Sequence, residues 1–153
     1  MNRTFAFTGA QKIVFGNKSF HGLAGHIQTL NAKNPLVVLD KNLAKAGLGE
    51  VVANLLVPEG IKYTVFDKVE PEPRIELADE GAAVAVKNKC DIVVGIGGGS
   101  AMDTAKAIAV LATNKGGAFD YLGLNKVAKP GLAKIMVPTT AGTGSEVTFT
   151  AVF

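Results

Sequence analysis

The stretch Asp91-Ile-Val-Val-Gly-Ile-Gly97-Gly98-Gly99-Ser100-Ala-Met-Asp103-Thr-Ala-Lys106 restricts the possible folds of this chain more than any other. Behind an acidic entry, its β-branched residues and glycine predict a buried parallel strand, three glycines in a row end that strand, and a helix is predicted from Ala101 to about Thr113. Glycines in a strand-to-helix turn let the backbone come close to a ligand, and the first N–H groups of the helix have no partners within it. Phosphate is the favoured guest of such a turn. The same turn also occurs in α/β proteins that bind nothing there, so the rest of the chain must decide.

Other segments repeat the alternation. An opening pair of short strands is expected at Phe5-Ala-Phe and Lys12-Ile-Val-Phe15, and a helix capped by Ser19 should run to about Leu30 with Phe20, Leu23, Ala24 and Ile27 on one face. Pro35-Leu-Val-Val-Leu-Asp40 reads as a buried strand ending in a carboxylate, followed by helical material to about Val57 broken at Gly47 and Gly49. Ile61-Lys-Tyr-Thr-Val-Phe66 is the next expected strand, and Pro71-Glu-Pro73 sets a rigid turn before a helix from about Arg74 to Asn88. A single helical turn is expected around residues 118–122. Lys134-Ile-Met-Val-Pro138 is the last core strand, and it opens into Thr139-Thr140-Ala-Gly-Thr143-Gly-Ser-Glu146, whose small and hydroxylic side chains cannot build a core. Residues 147–153 alternate like a further strand, through whose exposed edge self-association is expected.

Strands and helices alternating in steps of about thirty residues predict an α/β fold with a mostly parallel sheet flanked by helices. In such sheets ligands sit beyond the carboxyl ends of the strands. Asp40, Pro71, Gly97, Gly98, Gly99, Ser100 and Thr139, Thr140, Thr143 all fall at such ends, which makes four candidate loops on one edge.

Composition removes several alternatives. A chain of 153 residues is long enough for one domain, and 48% hydrophobic with 19% charged residues describes a globular one. With a net charge of +3 and no basic run interleaved with aromatics, no nucleic-acid partner is expected. No apolar run reaches the roughly 18 residues of a membrane span, so a soluble, cytoplasmic chain without a membrane partner is expected. The one cysteine, Cys90, cannot form an internal disulfide and reads as a packing residue. His21 and His26 are five apart, a spacing that does not juxtapose two imidazoles on a helix, so no metal site is expected from them.

Known nucleotide fingerprints do not fit as they stand. The Walker loop needs a Lys after its last glycine, and neither glycine cluster has one. Gly95-x-Gly97-x-x-Ser100 approximates the Rossmann fingerprint, yet the acid that ends a strand, Asp40, lies upstream instead of about 20 residues downstream. The parts of a dinucleotide site are present in another order.

That order resembles the N-terminal domain of the iron-containing (group III) alcohol dehydrogenases, the dehydroquinate synthase-like domain with a Rossmann-like sheet. The resemblance runs through Ile13-Val-Phe-Gly16, Asp40, Pro71-x-Pro73, Gly97-Gly-Gly-Ser-Ala-Met-Asp103-Thr-Ala-Lys106 and Pro138-Thr-Thr-Ala-Gly-Thr-Gly-Ser-Glu146-Val-Thr148. The sister glycerol dehydrogenase and dehydroquinate synthase families share the triple glycine but match the last block less well.

The resemblance implies a nicotinamide dinucleotide across this edge, with Gly97, Gly98, Gly99 and Ser100 on the pyrophosphate, Asp103 towards the nicotinamide, and Thr139, Thr140 and Thr143 along the adenine and phosphate region. Asp40 would take the adenosine ribose hydroxyls, and a carboxylate there repels a 2′-phosphate, so NAD is expected over NADP. A cap on the turn that follows is the lesser, alternative role for Asp40. Lys106, three residues after Asp103, is spaced to pair with it on one helix face. The family's Fe²⁺ or other divalent metal is held by one Asp and three His of a C-terminal helical domain, and no such ligand can be carried over onto this chain. The expectation is therefore an NAD(P)-binding domain over 1–153 that stops before a metal-binding domain, belongs to a homo-oligomeric oxidoreductase acting on a small alcohol or aldehyde, and is inactive by itself. The alternatives are a stand-alone, non-catalytic dinucleotide-binding module and a fragment of an enzyme similar to glycerol dehydrogenase or dehydroquinate synthase.

Overall fold

The computed structural model describes residues 9–153. Four parallel strands, β1 (Pro35–Asp40), β2 (Thr64–Val69), β3 (Ile92–Gly97) and β4 (Ala133–Pro138), form one sheet in the order β2-β1-β3-β4. The connections are helical: α1 (Leu23–Thr29) precedes β1, α2 (Lys41–Lys45) and α3 (Leu48–Leu56) link β1 to β2, α4 (Glu76–Lys87) links β2 to β3, and α5 (Gly99–Leu111) links β3 to β4.

The strand period of two sorts the core into two layers. Val37 and Leu39 of β1 with Ile92, Val94 and Ile96 of β3 pack against Leu23 and Ile27 of α1 and Val52 and Leu56 of α3. On the opposite face Leu36, Val38, Phe66, Val69 and Val93 pack against Ala85 of α4 and Ala101, Ala105, Ile108 and Ala109 of α5. β3 is buried at all six positions, as a strand covered on both faces must be. Its helix α5 lies close because Gly95 has no Cβ; one placed there would come within 2.6 Å of the Ala105 Cβ. At the other end of the sheet the Asp91 carboxylate accepts the Lys33 and Asn34 N–H groups at 2.8 and 2.9 Å, tying the entries of β1 and β3 together.

Several boundaries differ from expectation. The segment expected at 5–7 lies outside the described residues, and residues 12–15 pair with no strand among those described. Ser19 opens a single 3₁₀ turn (Ser19–Gly22) instead of capping a helix, because Lys18 before it takes a left-handed φ of 63° and α1 starts only at Leu23. The helical break after β1 is at Gly47, with φ 88°, while Gly49 is accommodated inside α3. β2 begins three residues later than its β-branched run suggested, at Thr64 opposite Leu36, and so takes in Asp67 and Lys68. An edge strand tolerates them because its polar residues face solvent.

Residues 147–153 form no strand. They fold back as irregular chain whose polar groups meet α5, and the self-association expected through their edge loses the ladder on which it rested.

Cys90 is buried at the end of α4, and burial pushes its thiol above the ordinary range. The neutral thiol is thus favoured in the folded chain, so its contribution to stability is complete below the unfolded thiol pKa and is lost as pH rises through the folded one. We expect native Cys90 to react with a disulfide reagent at pH 8 at least about tenfold more slowly than the urea-unfolded chain, since only the thiolate attacks. Equal rates would show that the site is open.

Candidate functional site

Because every ladder is parallel, the carboxyl ends of all four strands lie on one edge. Strand order adds a sharper constraint. The chain moves outward from β1 to β2 and then crosses back to β3, so the direction of winding reverses between β1 and β3, the point at which such sheets form their ligand crevice. The residues that end these two strands are Asp40 and Gly97, and a Cβ on Gly97 would lie 3.2 Å from Asp40 Oδ2.

The glycine turn forms the floor of this crevice. Gly97 has φ 153° and its Cβ position falls 2.7 Å from the Ala101 Cβ, so a side chain there is excluded both by backbone conformation and by the first turn of α5. Gly98 is extended and α5 begins at Gly99. At thirteen residues α5 is long enough to present a full helix N-terminus, whose free N–H groups and partial positive charge favour an anion.

The loop after β4 lies against this turn. The Thr139 N–H donates to the Gly97 carbonyl at 2.9 Å, continuing the β3–β4 register of Gly97 opposite Pro138. Thr140 Oγ1 stands 3.4 Å from the Cβ position of Gly98, and the Thr143 side chain 3.8 Å from that of Gly99. Thr139, Thr140 and Thr143 are exposed, and Gly98, Gly99 and Ser100 partly so, leaving their polar groups open to a ligand. A Cβ on Gly98 would lie between the turn and the loop, in contact with Thr140.

Asp40 does two things. Its Oδ1 accepts the Asn42 and Leu43 N–H groups at 2.9 and 2.8 Å and so caps α2. Its Oδ2 remains on the side of Gly97. Beyond it Lys41, Ala44, Lys45, Asp67 and Lys68 line a shallow cleft of about 370 Å³ at β2, where Lys68 pairs with Glu80 at 3.2 Å. Lys41 pairs with Glu70, whose carboxyl is held below its usual range by that hydrogen bond and charge. Pro71 follows Glu70, exposed and one strand further from the glycine turn than Asp40.

Asp103 lies beneath the turn instead of in the open crevice. It is 7% exposed and paired with Lys106 at 2.7 Å, the i, i+3 pairing that its spacing allowed. The Ser145 hydroxyl donates to its Oδ1 and the Val152 N–H to its Oδ2 at 3.0 Å. Ser145 and the lysine cluster were not singled out in the sequence. Ser145 had no periodic signal and the lysines are dispersed, so only the fold assembles them. Among the described residues no three His, Cys, Asp or Glu side chains converge as metal ligands. Among the described residues no helix is long and apolar enough to cross a membrane.

Comparison with known proteins agrees with this fold. The family profile described as iron-containing alcohol dehydrogenase matches residues 10–153. The chain is 46% identical over 129 residues to long-chain-alcohol dehydrogenase 1 of Geobacillus thermodenitrificans, a match covering 82% of the chain and 33% of the relative. It is 40% identical over 139 residues to the NAD-dependent methanol dehydrogenase of Bacillus methanolicus, covering 91% of the chain and 36% of the relative. Among solved structures, a 1,3-propanediol oxidoreductase superposes with a TM-score of 0.90 at 36% identity, over 95% of the chain and 38% of that structure. The sulfoacetaldehyde reductase of Bifidobacterium kashiwanohense, solved in complex with NAD⁺, gives a TM-score of 0.86 at 31% identity, over 96% of the chain and 39% of that structure. The chain thus spans about a third of the length of the curated relatives it matches.

Proposed function

The chain belongs to the iron-containing alcohol dehydrogenase family, and from that premise we propose that residues 1–153 are the NAD-binding part of a dehydrogenase that interconverts a small alcohol and its aldehyde. The observation that carries this reading is the reversal of winding between β1 and β3, at which Asp40 Oδ2 lies beside Gly97 just before α5. Gly97, Gly98, Gly99 and Ser100 bind the pyrophosphate through backbone N–H groups. Thr139, Thr140 and Thr143 close over the phosphates and the adenine side from the facing loop, and Pro71 borders that side. Asp40 accepts the adenosine ribose hydroxyls with Oδ2 while Oδ1 keeps its cap on α2. The nicotinamide lies over the far end of the turn, on the side of Asp103.

When bound, the nicotinamide accepts or returns a hydride; the described residues bind and orient the cofactor. Their donor set fits no metal ion, so no step at a metal is derived from this chain.

NAD is preferred over NADP because the Asp40 carboxylate repels a 2′-phosphate. Asp40→Asn tests this better than Asp40→Ala, since asparagine keeps the helix cap and removes only the charge. In fluorescence titrations the wild-type chain should bind NADH more tightly than NADPH. With the Asp40 charge removed and Lys45 near the end of β2, Asp40→Asn should shift the ratio towards NADPH by about tenfold, the equivalent of about 1.4 kcal/mol. Saturable NADPH binding of equal strength in both proteins would remove Asp40 from the ribose site. No binding of either nucleotide by the folded wild-type chain would remove the reading itself.

A further inference from the structure

Lys106 is 3% exposed, on the helix that opens the cofactor crevice, and its ammonium faces more than its ion-pair partner. Besides Asp103 at 2.7 Å, it donates to the Ser145 carbonyl at 2.9 Å, Thr148 Oγ1 at 3.1 Å, the Thr148 carbonyl at 3.4 Å and the Thr150 carbonyl. Three ammonium N–H groups are thereby shared among five acceptors, four of them supplied by residues 145–150. Asp103 completes the arrangement from the other side through the Ser145 hydroxyl and the Val152 N–H.

A buried ion pair within one helix could be replaced by two apolar residues at little loss. This one does something an apolar pair could not. Residues 145–152 form no helix or strand, and apolar burial does not hold them either, since Val147, Phe149 and Val152 are exposed. Within the segment the Val147 and Thr148 N–H groups donate to the Gly144 carbonyl at 3.1 and 3.2 Å, and the Asp103–Lys106 pair ties this turn and the chain beyond it to α5. Ser145 is also the residue that joins this segment to Thr143, whose side chain lies beside Gly99 and whose Oγ1 accepts the Ser145 N–H at 3.4 Å.

We propose that Lys106 is a positioning residue of the cofactor site: its buried ammonium gathers the carbonyls of residues 145–150 and so holds the 139–145 loop at the distance from the glycine turn that a pyrophosphate requires. The inference rests on the dinucleotide reading and extends it to a side chain that does not touch the ligand. Removing the ammonium leaves the loop to be ordered on binding, and affinity then falls in proportion to the fraction of molecules in the competent arrangement.

The test compares Lys106→Met with Asp103→Asn/Lys106→Met in the full chain. The double variant carries no unpaired buried charge and keeps the measurement available where the single variant does not fold. Hydrogen exchange of the Val147, Thr148 and Val152 amides reads the segment without any ligand. ADP-ribose, followed by calorimetry, reads the pyrophosphate cradle without the nicotinamide, so a direct contact of Asp103 with that ring does not enter. Both variants should lose protection at those three amides, keep it in β1 and β3, and bind ADP-ribose at least about tenfold more weakly. A folded double variant with wild-type protection, or with wild-type ADP-ribose affinity, would overturn the proposal and leave Lys106 as a counter-ion for Asp103. A wild-type chain that does not bind ADP-ribose would instead overturn the dinucleotide reading, while the exchange data would still decide whether Lys106 anchors the segment.

Discussion

Gly97→Ala is expected to lower stability by about 2–4 kcal/mol and to abolish NADH binding in the same step, from two independent sources of strain. The backbone there has φ 153°, which L side chains rarely adopt, and the new Cβ meets the Ala101 Cβ at 2.7 Å. Ala101 cannot rotate away, because its Cβ is fixed by the helix backbone; either α5 shifts off the sheet or the turn reshapes. Both outcomes move the helix N-terminus that the phosphate uses. Gly98→Ala separates the two effects. Gly98 has φ −79°, and its Cβ would lie 3.4 Å from Thr140 Oγ1, so folding should change by less than about 1 kcal/mol. The methyl group would nevertheless occupy the space between turn and loop, and NADH affinity should fall. Chemical denaturation and nucleotide titration of the two variants check this. Gly97→Ala with wild-type stability would mean that the close approach of α5 is not required.

What the sequence made legible follows from how local the responsible forces are. β1 and β3 could be bounded to within about a residue because both faces are covered, so their apolar runs are continuous and end where a carboxylate or glycine is needed. The glycine turn was legible because three glycines end the strand, and at Gly97 the conformation and the crowding against Ala101 do require one. β2 was displaced by three residues because its start is set by pairing with Leu36, a contact outside its own sequence. Residues 147–153 alternate as a strand would, yet pattern alone cannot supply a partner strand, and their polar groups go instead to Asp103 and Lys106. The i, i+3 spacing announced that pair. Its burial, and its hold on a segment about forty residues away, depend on the β4 loop returning over α5 and could not be read from spacing.

The second large effect belongs to the packing of α4 on α5. Ile108 is fully buried, and its side chain occupies the space that a Cβ on Gly81 would need: that Cβ would stand 2.2 Å from Ile108 Cδ1 and 2.7 Å from Cγ1. Ile108→Ala should therefore destabilise the chain by about 2–5 kcal/mol, through lost burial and the cavity left against Leu36, Phe66 and Ala85. Gly81→Ala in the wild-type background sets two forces against each other. Alanine is the better helix former by about 1 kcal/mol. The clash opposes it, and because the atoms in the way belong to a side chain that can rotate, the net loss should stay within about 1–3 kcal/mol. Combining the two changes should reverse the sign of the second. With Ile108 truncated, the Gly81→Ala methyl meets no obstruction, fills part of the cavity and brings its helix propensity, so the double variant should be more stable than Ile108→Ala alone by about 1 kcal/mol. A double-mutant cycle from urea denaturation measures this coupling. Additive effects, or a Gly81→Ala variant that is more stable than wild type, would show that Ile108 does not depend on the missing Cβ and that α4 and α5 approach each other for another reason.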